Sequence, residues 1–204
     1  MKFNKVYYTR LFFDQILPQI EKITTQSRFG YHGLSHTCQV AMFAIDIAQH
    51  INQDALPVLL AAGLHDCARE HDAWCTEHGP QAAIVGRDFL ARNYNDIPEK
   101  TKQQILYAVA NHTTGRIAPD GVSACLWDGD RIRLSWENGF RPDFFNTIRG
   151  REIAALNLEQ QKYYIASQND FLIRNNIKTR EQIIFERQQD EIQNKIGTEF
   201  SRKK

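Results

Sequence analysis

His65 and Asp66 stand side by side in Gly63-Leu64-His65-Asp66-Cys67-Ala68-Arg69, directly after the apolar run Ala55-Leu56-Pro57-Val58-Leu59-Leu60-Ala61-Ala62. At the mouth of a core, an unpaired neutral polar group costs on the order of 2–7 kcal/mol and an unpaired charge costs more. A single divalent cation would satisfy both side chains, because imidazole nitrogen and carboxylate oxygen are ligands for hard and borderline ions. Further donors are strung along the chain: His32 and His36 upstream, and His78, His112 and Asp128 downstream. A donor set of this kind, with positions left for water and substrate, suits metal-assisted hydrolysis. Arg69, Lys100, Arg116, Arg131 and Arg133 are cations able to meet phosphate oxygens, which guanidinium grips bidentately.

Helices must position these residues. Leu11, Phe12, Ile16, Ile20 and Ile23 recur at helical spacing over Tyr8 to Thr24, and Ser27, Gly30 and Gly33 then mark a loop. Ser35 is the expected N-cap of a helix from about His36 to Ile51, with Val40, Phe43, Ala44, Ile47 and Ala48 on one stripe. Asp54 and the early Pro57 start the apolar helix that ends at the His65-Asp66 pair. The polar segment from Glu70 to Glu77 reads as a loop or short helix around the mouth of the site. Pro80 is expected to open a helix through about Asn93, and a further helix spans 98–111 with Ile105, Leu106, Val109 and Ala110 inward. Gly115 and Pro119 break it, and Ala124-Cys125-Leu126-Trp127 leads a buried helix into Asp128. Gly139, Pro142 and Gly150 punctuate a looser region, and a polar helical pattern returns from Arg151. It ends in an amphipathic helix over about 179–196, carrying Ile183, Ile184, Phe185 and Ile192, and in a solvated Lys203-Lys204 tail. No β-alternating run or internal repeat interrupts this pattern, so the expectation is one all-α domain over 1–204, with a site-bearing core at about 31–134 and a C-terminal helical extension at about 151–204.

With 25 basic against 24 acidic residues the formal charge is +1, which argues against a nucleic-acid partner bound by general electrostatics. Four scattered cysteines without a Cys-x-x-Cys pair indicate neither a zinc knuckle nor a disulfide framework, and a reducing cytoplasm is the expected compartment. No leader-like apolar segment opens the chain and no stretch approaches the roughly 18 apolar residues of a membrane span. The amphipathic C-terminal helix would pack equally well on the body or on a second copy in a homo-oligomer.

The order His36, His65-Asp66, His78, His112, Asp128, set in Tyr31-His32-Gly33-Leu34-Ser35-His36, Glu77-His78-Gly79, His112-Thr113-Thr114-Gly115 and Trp127-Asp128-Gly129-Asp130-Arg131, resembles the HD superfamily of metal-dependent phosphohydrolases. The resemblance implies an HD-type helical bundle and a small phosphorylated substrate, a nucleotide foremost. It implies that His36, His65, Asp66 and Asp128 bind one divalent ion. His78 and His112 then either hold a second ion bridged by Asp66 or face substrate phosphate. Manganese, iron, cobalt, nickel, zinc and magnesium all suit such ligands. Asp130 is expected to orient a ligand from behind, and Arg131 to pair with it or, like Arg69 and Arg116, to touch substrate. The Tyr31-His32-x-x-x-His36 spacing resembles cyclic nucleotide phosphodiesterases, which implies that His32 is the general acid. The contexts of His78 and His112 resemble the branch that splits diadenosine tetraphosphate. The same order also resembles the diiron oxygenases of the superfamily, and a nucleotide-binding regulator with little turnover would keep the same ligands. His50 and His71 match no family position.

Overall fold

A computed structural model describes residues 3–25, 30–73 and 75–202 of the 204-residue chain, with side chains as far as Ile192. Ser27 and the Lys203-Lys204 tail lie outside the described residues. The described residues contain helices and no strand, as an all-α domain requires. The first helical stretch runs as α1 (Lys5–Arg10), a wide π-helical segment (Leu11–Ile16) and α2 (Leu17–Ile20). Pro18 lacks the N–H that would close an ordinary turn onto Asp14, and the ladder is widened just ahead of it.

The core is built on α3 (Leu34–His50) and α4 (Ala55–Leu64). Nearly every residue of α4 is buried, because a helix apolar all round has no face for water and must be enclosed by its neighbours. Asp54 caps it as expected, its carboxylate accepting from Leu56 N at 3.2 Å. Two expected caps differ. Gly33, not Ser35, precedes α3, which begins at Leu34, so Ser35 and His36 both fall in its first turn. The helix α5 (His78–Asn93) starts before Pro80, so that His78 is its first residue.

The remaining helices close around this pair: α6 (Glu99–Ala110), α7 (Gly121–Asn138), α8 (Ile148–Ala154), α9 (Leu158–Arg174) and α10 (Arg180–Arg202). Asp120 caps α7 through Ser123 N at 2.8 Å. The Trp127 indole N–H donates to Ala108 O at 2.9 Å and locks α7 to α6, while Trp136 donates to Ile153 O at 3.0 Å and locks α7 to α8. Phe43 of α3 packs its ring on Trp136 and on Tyr164 of α9. Below it, Asp46 accepts from Arg149 at 2.8 Å and from the Tyr164 hydroxyl at 2.6 Å, which ties α8 and α9 to α3. Arg187 of α10 pairs with Glu21 at 3.0 Å. Among the described residues no helix is long and apolar enough to cross a membrane.

Candidate metal centre

Helix ends converge on one buried cluster. His36 sits in the first turn of α3, His65 and Asp66 follow the last turn of α4, His78 opens α5, and His112 follows α6. All five are buried, His65 completely. The meeting of α5 with the end of α6 depends on Gly79. A Cβ there would lie 2.8 Å from Ala110 O and 3.3 Å from His112 Nδ1, so only glycine lets His78 approach His112.

The cluster has two halves that share Asp66. In the first, His36 Nε2 and His65 Nε2 are 3.2 Å apart and lie 3.6 and 3.3 Å from Asp66 Oδ2. In the second, His78 Nε2 and His112 Nε2 are 2.9 Å apart and lie 3.1 and 3.6 Å from Asp66 Oδ1. One carboxylate thus offers one oxygen to each histidine pair. His65 Nδ1 donates to Ala62 O and His112 Nδ1 to Val109 O, both at 2.8 Å, which leaves their Nε2 atoms as acceptors in the neutral ring. In each half a second Nε2 lies within about 3 Å of such an acceptor, a spacing at which one cation could meet both nitrogens.

The electrostatics follow from that crowding. Burial opposes charge on His65, but the Asp66 and Asp130 carboxylates outweigh it and lift the imidazole to about 9. Burial likewise opposes ionisation of Asp66, and the neighbouring histidines, His65 first, outweigh it and hold the carboxyl well below its ordinary range. Even so, buried Asp66 Oδ1 accepts no hydrogen bond of acceptable geometry. An orphaned carboxylate oxygen is expensive in a core, and an ion on that side would satisfy it. Ligand atoms about 2.1 Å from an ion stand about 3–4 Å apart. The separations here, 2.9 to 3.6 Å, fit that requirement on both sides of Asp66.

Asp128 does not join the cluster. Its Oδ1 accepts from Asn146 N at 2.8 Å and Asn146 Nδ2 at 3.2 Å, and its Oδ2 accepts from Thr147 N and Thr147 Oγ1, both at 2.8 Å. It is the anion at the N-terminus of α8, a position where carboxylate meets unpaired N–H groups. Gly150 lets α8 come this close, since a Cβ there would fall 2.4 Å from Asp128 Oδ2. Asp130 is the α7 carboxylate at the centre, with Oδ1 3.0 Å from His36 Nε2 and 3.8 Å from His65 Nε2. The expected role behind the ligands is therefore corrected to direct contact with them. Burial opposes its ionisation, and His36 and His65 outweigh that and hold its carboxyl below the ordinary range.

The arginines separate. Arg131 pairs with backbone rather than with Asp130 or open solvent: it donates to Phe144 O at 2.9 Å, to His112 O at 3.2 Å and to Gly115 O. It braces the turn that carries His112. Arg116 is exposed and outside the cavity lining. Arg69 is buried in the cavity wall, anchored to His71 O and Ala73 O at 3.1 Å each, with NH1 3.8 Å from Asp66 Oδ1.

A cavity of about 280 Å³ opens over the cluster. His32 lines it beside His36, ring centroids 5.3 Å apart, and its Nδ1 lies 3.0 Å from Asp72 Oδ1. Asp72 also accepts from the backbone N–H groups of Tyr31 and His32 at 3.1 Å, so it fastens the loop before α3 to the segment after Arg69. Burial lowers the His32 pKa, and Asp72 offsets part of that. Asp72, Cys75, Thr113 and Arg133 also line the cavity, and of these only Arg133 carries a sequence expectation. Their signal was local polarity near the site, which does not single out any one residue. His50 and His71 are exposed.

A family model described as HD domain matches residues 33–170, a span that holds every residue of the cluster. A search of curated proteins finds no match. Among solved structures, a predicted HD superfamily hydrolase from an uncultured Thermotogales bacterium is similar, with a TM-score of 0.52 and 21% identity over 83% of this chain and 90% of that one. A likeness at that identity shows a shared fold.

Proposed function

The chain belongs to the HD-domain family, and we propose that its centre is a metal-dependent phosphohydrolase acting on an ester or anhydride of a nucleotide or other small phosphorylated substrate. The observation that carries this reading is Asp66, one oxygen against each histidine pair and Oδ1 left without a donor. His36, His65, Asp66 and Asp130 would hold one divalent ion, and Asp66, His78 and His112 a second. His36, His65 and Asp66, and separately Asp66, His78 and His112, each bring their ligand atoms within 4.8 Å of one another. Manganese, iron, cobalt, nickel, zinc and magnesium all suit mixed nitrogen and oxygen ligands. Bound ions would supply Lewis acidity toward phosphoryl oxygen and bring the pKa of water from near 16 to about 7.

The chain's own residues do the rest. The hydrogen bonds from His65 and His112 to backbone carbonyls fix which nitrogen faces the centre. Arg69, with Nε and NH2 given to carbonyls, rests NH1 in the cavity wall against His78, 3.0 Å from its Nε2, from where it would turn to a phosphoryl oxygen. His32 donates the proton that the leaving oxygen needs. In the imidazolium form, which the Asp72 carboxylate favours, Nδ1–H would be held by Asp72 and the Nε2 proton would pass to the leaving oxygen, leaving the neutral ring still fixed on Asp72.

Metal-stripped protein, reconstituted with one ion at a time, should release phosphate from some member of a panel of nucleotides, dinucleoside polyphosphates and simple esters. Asp66→Ala should not. Silence across the panel with every ion, or full activity in Asp66→Ala, would defeat this reading. Silence would turn attention to iron content and substrate-dependent oxygen uptake.

A further inference from the structure

Asp130, Arg133, Leu134 and Glu137 form one stripe along α7, since residues three, four and seven apart share a helix face. At 1.5 Å per residue the stripe runs about 4.5 Å from Asp130 to Arg133 and about 10 Å to Glu137, leading outward from the metal centre. Arg133 and Leu134 line the cavity, and Tyr31, from the loop before α3, does the same. Tyr31, Arg133 and Glu137 interlock. The Arg133 guanidinium carbon lies 4.4 Å from the centre of the Tyr31 ring, Arg133 Nε donates to Glu137 Oε1 at 2.8 Å, and the Tyr31 hydroxyl donates to Glu137 Oε2. Tyr31 nevertheless remains 40% exposed.

Stability does not account for this clamp, because a half-exposed ion pair four residues apart on a helix contributes only about 0.3–0.5 kcal/mol. Glu137 offsets the charge of Arg133, so the pair has little pull on a second phosphate. It presents flat π surface instead: a guanidinium plane and a phenol ring, each of which stacks on aromatic groups. Resting on the phosphohydrolase reading, we propose that Tyr31 and Arg133, held by Glu137, form a stacking subsite that selects phosphate esters whose leaving group carries a planar aromatic ring. With phosphate at the centre, a ring one to two helical turns away along α7 meets this wall, and exposed Leu134 extends the apolar contact.

The test uses metal-loaded protein with three probes: adenosine 5′-monophosphate, phenyl phosphate and glycerol phosphate. The intact protein should favour at least one aromatic ester over glycerol phosphate in kcat/KM, and the larger ratio tells nucleobase from simple aryl recognition. Arg133→Ala should cut that ratio about tenfold, mainly through KM, the size expected from the loss of one stacking contact. Arg133→Lys keeps the charge and removes the plane, so it should lose the preference as well. Tyr31→Leu tests the same wall from another element. A ratio unchanged by these substitutions, or restored by lysine, overturns the subsite. Equilibrium binding of the same three probes reads the preference without turnover: protein that hydrolyses nothing yet shows the Arg133-dependent preference keeps the subsite and refutes the phosphohydrolase reading.

Discussion

Exchanging the two carboxylates of α7 one at a time separates a brace from a ligand. In Asp128→Ala, the Thr147 N–H and Oγ1–H lose their acceptor inside a buried turn, and Asn146 loses two further bonds. Each stranded buried donor costs about 1–3 kcal/mol, so the two on Thr147 alone imply about 2–6 kcal/mol of lost stability. Burial pushes the Asp128 carboxyl up while these donors pull it down, so removing the carboxylate also recovers some desolvation, and the middle of that range is expected. At about 2–4 °C per kcal/mol for a chain of this size, the melting temperature should fall by roughly 10 °C. Metal content measured well below that temperature should be retained. Asp130→Ala should do the reverse. It takes a buried charge from beside His36 and His65 but leaves α8 docked, so the apo melting temperature should fall less than in Asp128→Ala. Ion affinity should fall by more than the roughly 10–100-fold seen for groups that only orient a ligand. Thermal melts by circular dichroism with elemental analysis of the same samples decide between them. Folded Asp128→Ala protein unable to hold metal, beside Asp130→Ala protein that holds it normally, would refute the assignment.

His32→Ala should lower kcat by about 10²- to 10⁴-fold while leaving metal content intact, since the ring lines the cavity beside His36 and belongs to neither group that could hold an ion; loss of metal in this variant would contradict the role. The His65 imidazole is lifted in the fold from 6.5 to about 9, so the stability it gives the apo protein is full below about pH 6.5 and is lost as pH rises through about 9. Ion binding needs the neutral ring, so affinity should climb over that window with release of a proton, which calorimetry in buffers of different ionisation enthalpy would detect. Burial pushes the Cys38 and Cys67 thiols up to about 12 and raises Cys125 as well, leaving Cys75 at the cavity as the reactive thiol. A thiol reagent at pH 8 should therefore modify one site, identified by peptide mapping, and inorganic phosphate with metal should slow it.

Much of the fold was legible because the sequence repeats one physical rule. Apolar spacing marked the helices, and α4, apolar on every face, announced itself as the buried one. The histidines of the cluster were legible from residue type and from the resemblance their order carries. What could not be read was register on α7. Asp128 and Asp130 are two residues apart, so on a helix they point to opposite sides and only one can face the centre. Choosing between them required the partners of the other, Asn146 and Thr147, which are distant in sequence and become a binding site only when Gly150 brings α8 close. The same holds for Arg131. Its neighbour Asp130 is the nearest carboxylate in sequence, yet the carbonyls of His112, Gly115 and Phe144 take its donors. The Asp72 tether on His32 was illegible for a like reason, since it joins two loops about forty residues apart.

The division of Asp66 between two histidine pairs is tested most directly by counting ions. Elemental analysis of reconstituted protein should give two per chain, one after His36→Ala or His112→Ala, and none after Asp66→Ala, with phosphate release lost in step. Asp66→Ala protein that is folded, carries its full complement of ions and still releases phosphate would contradict the account.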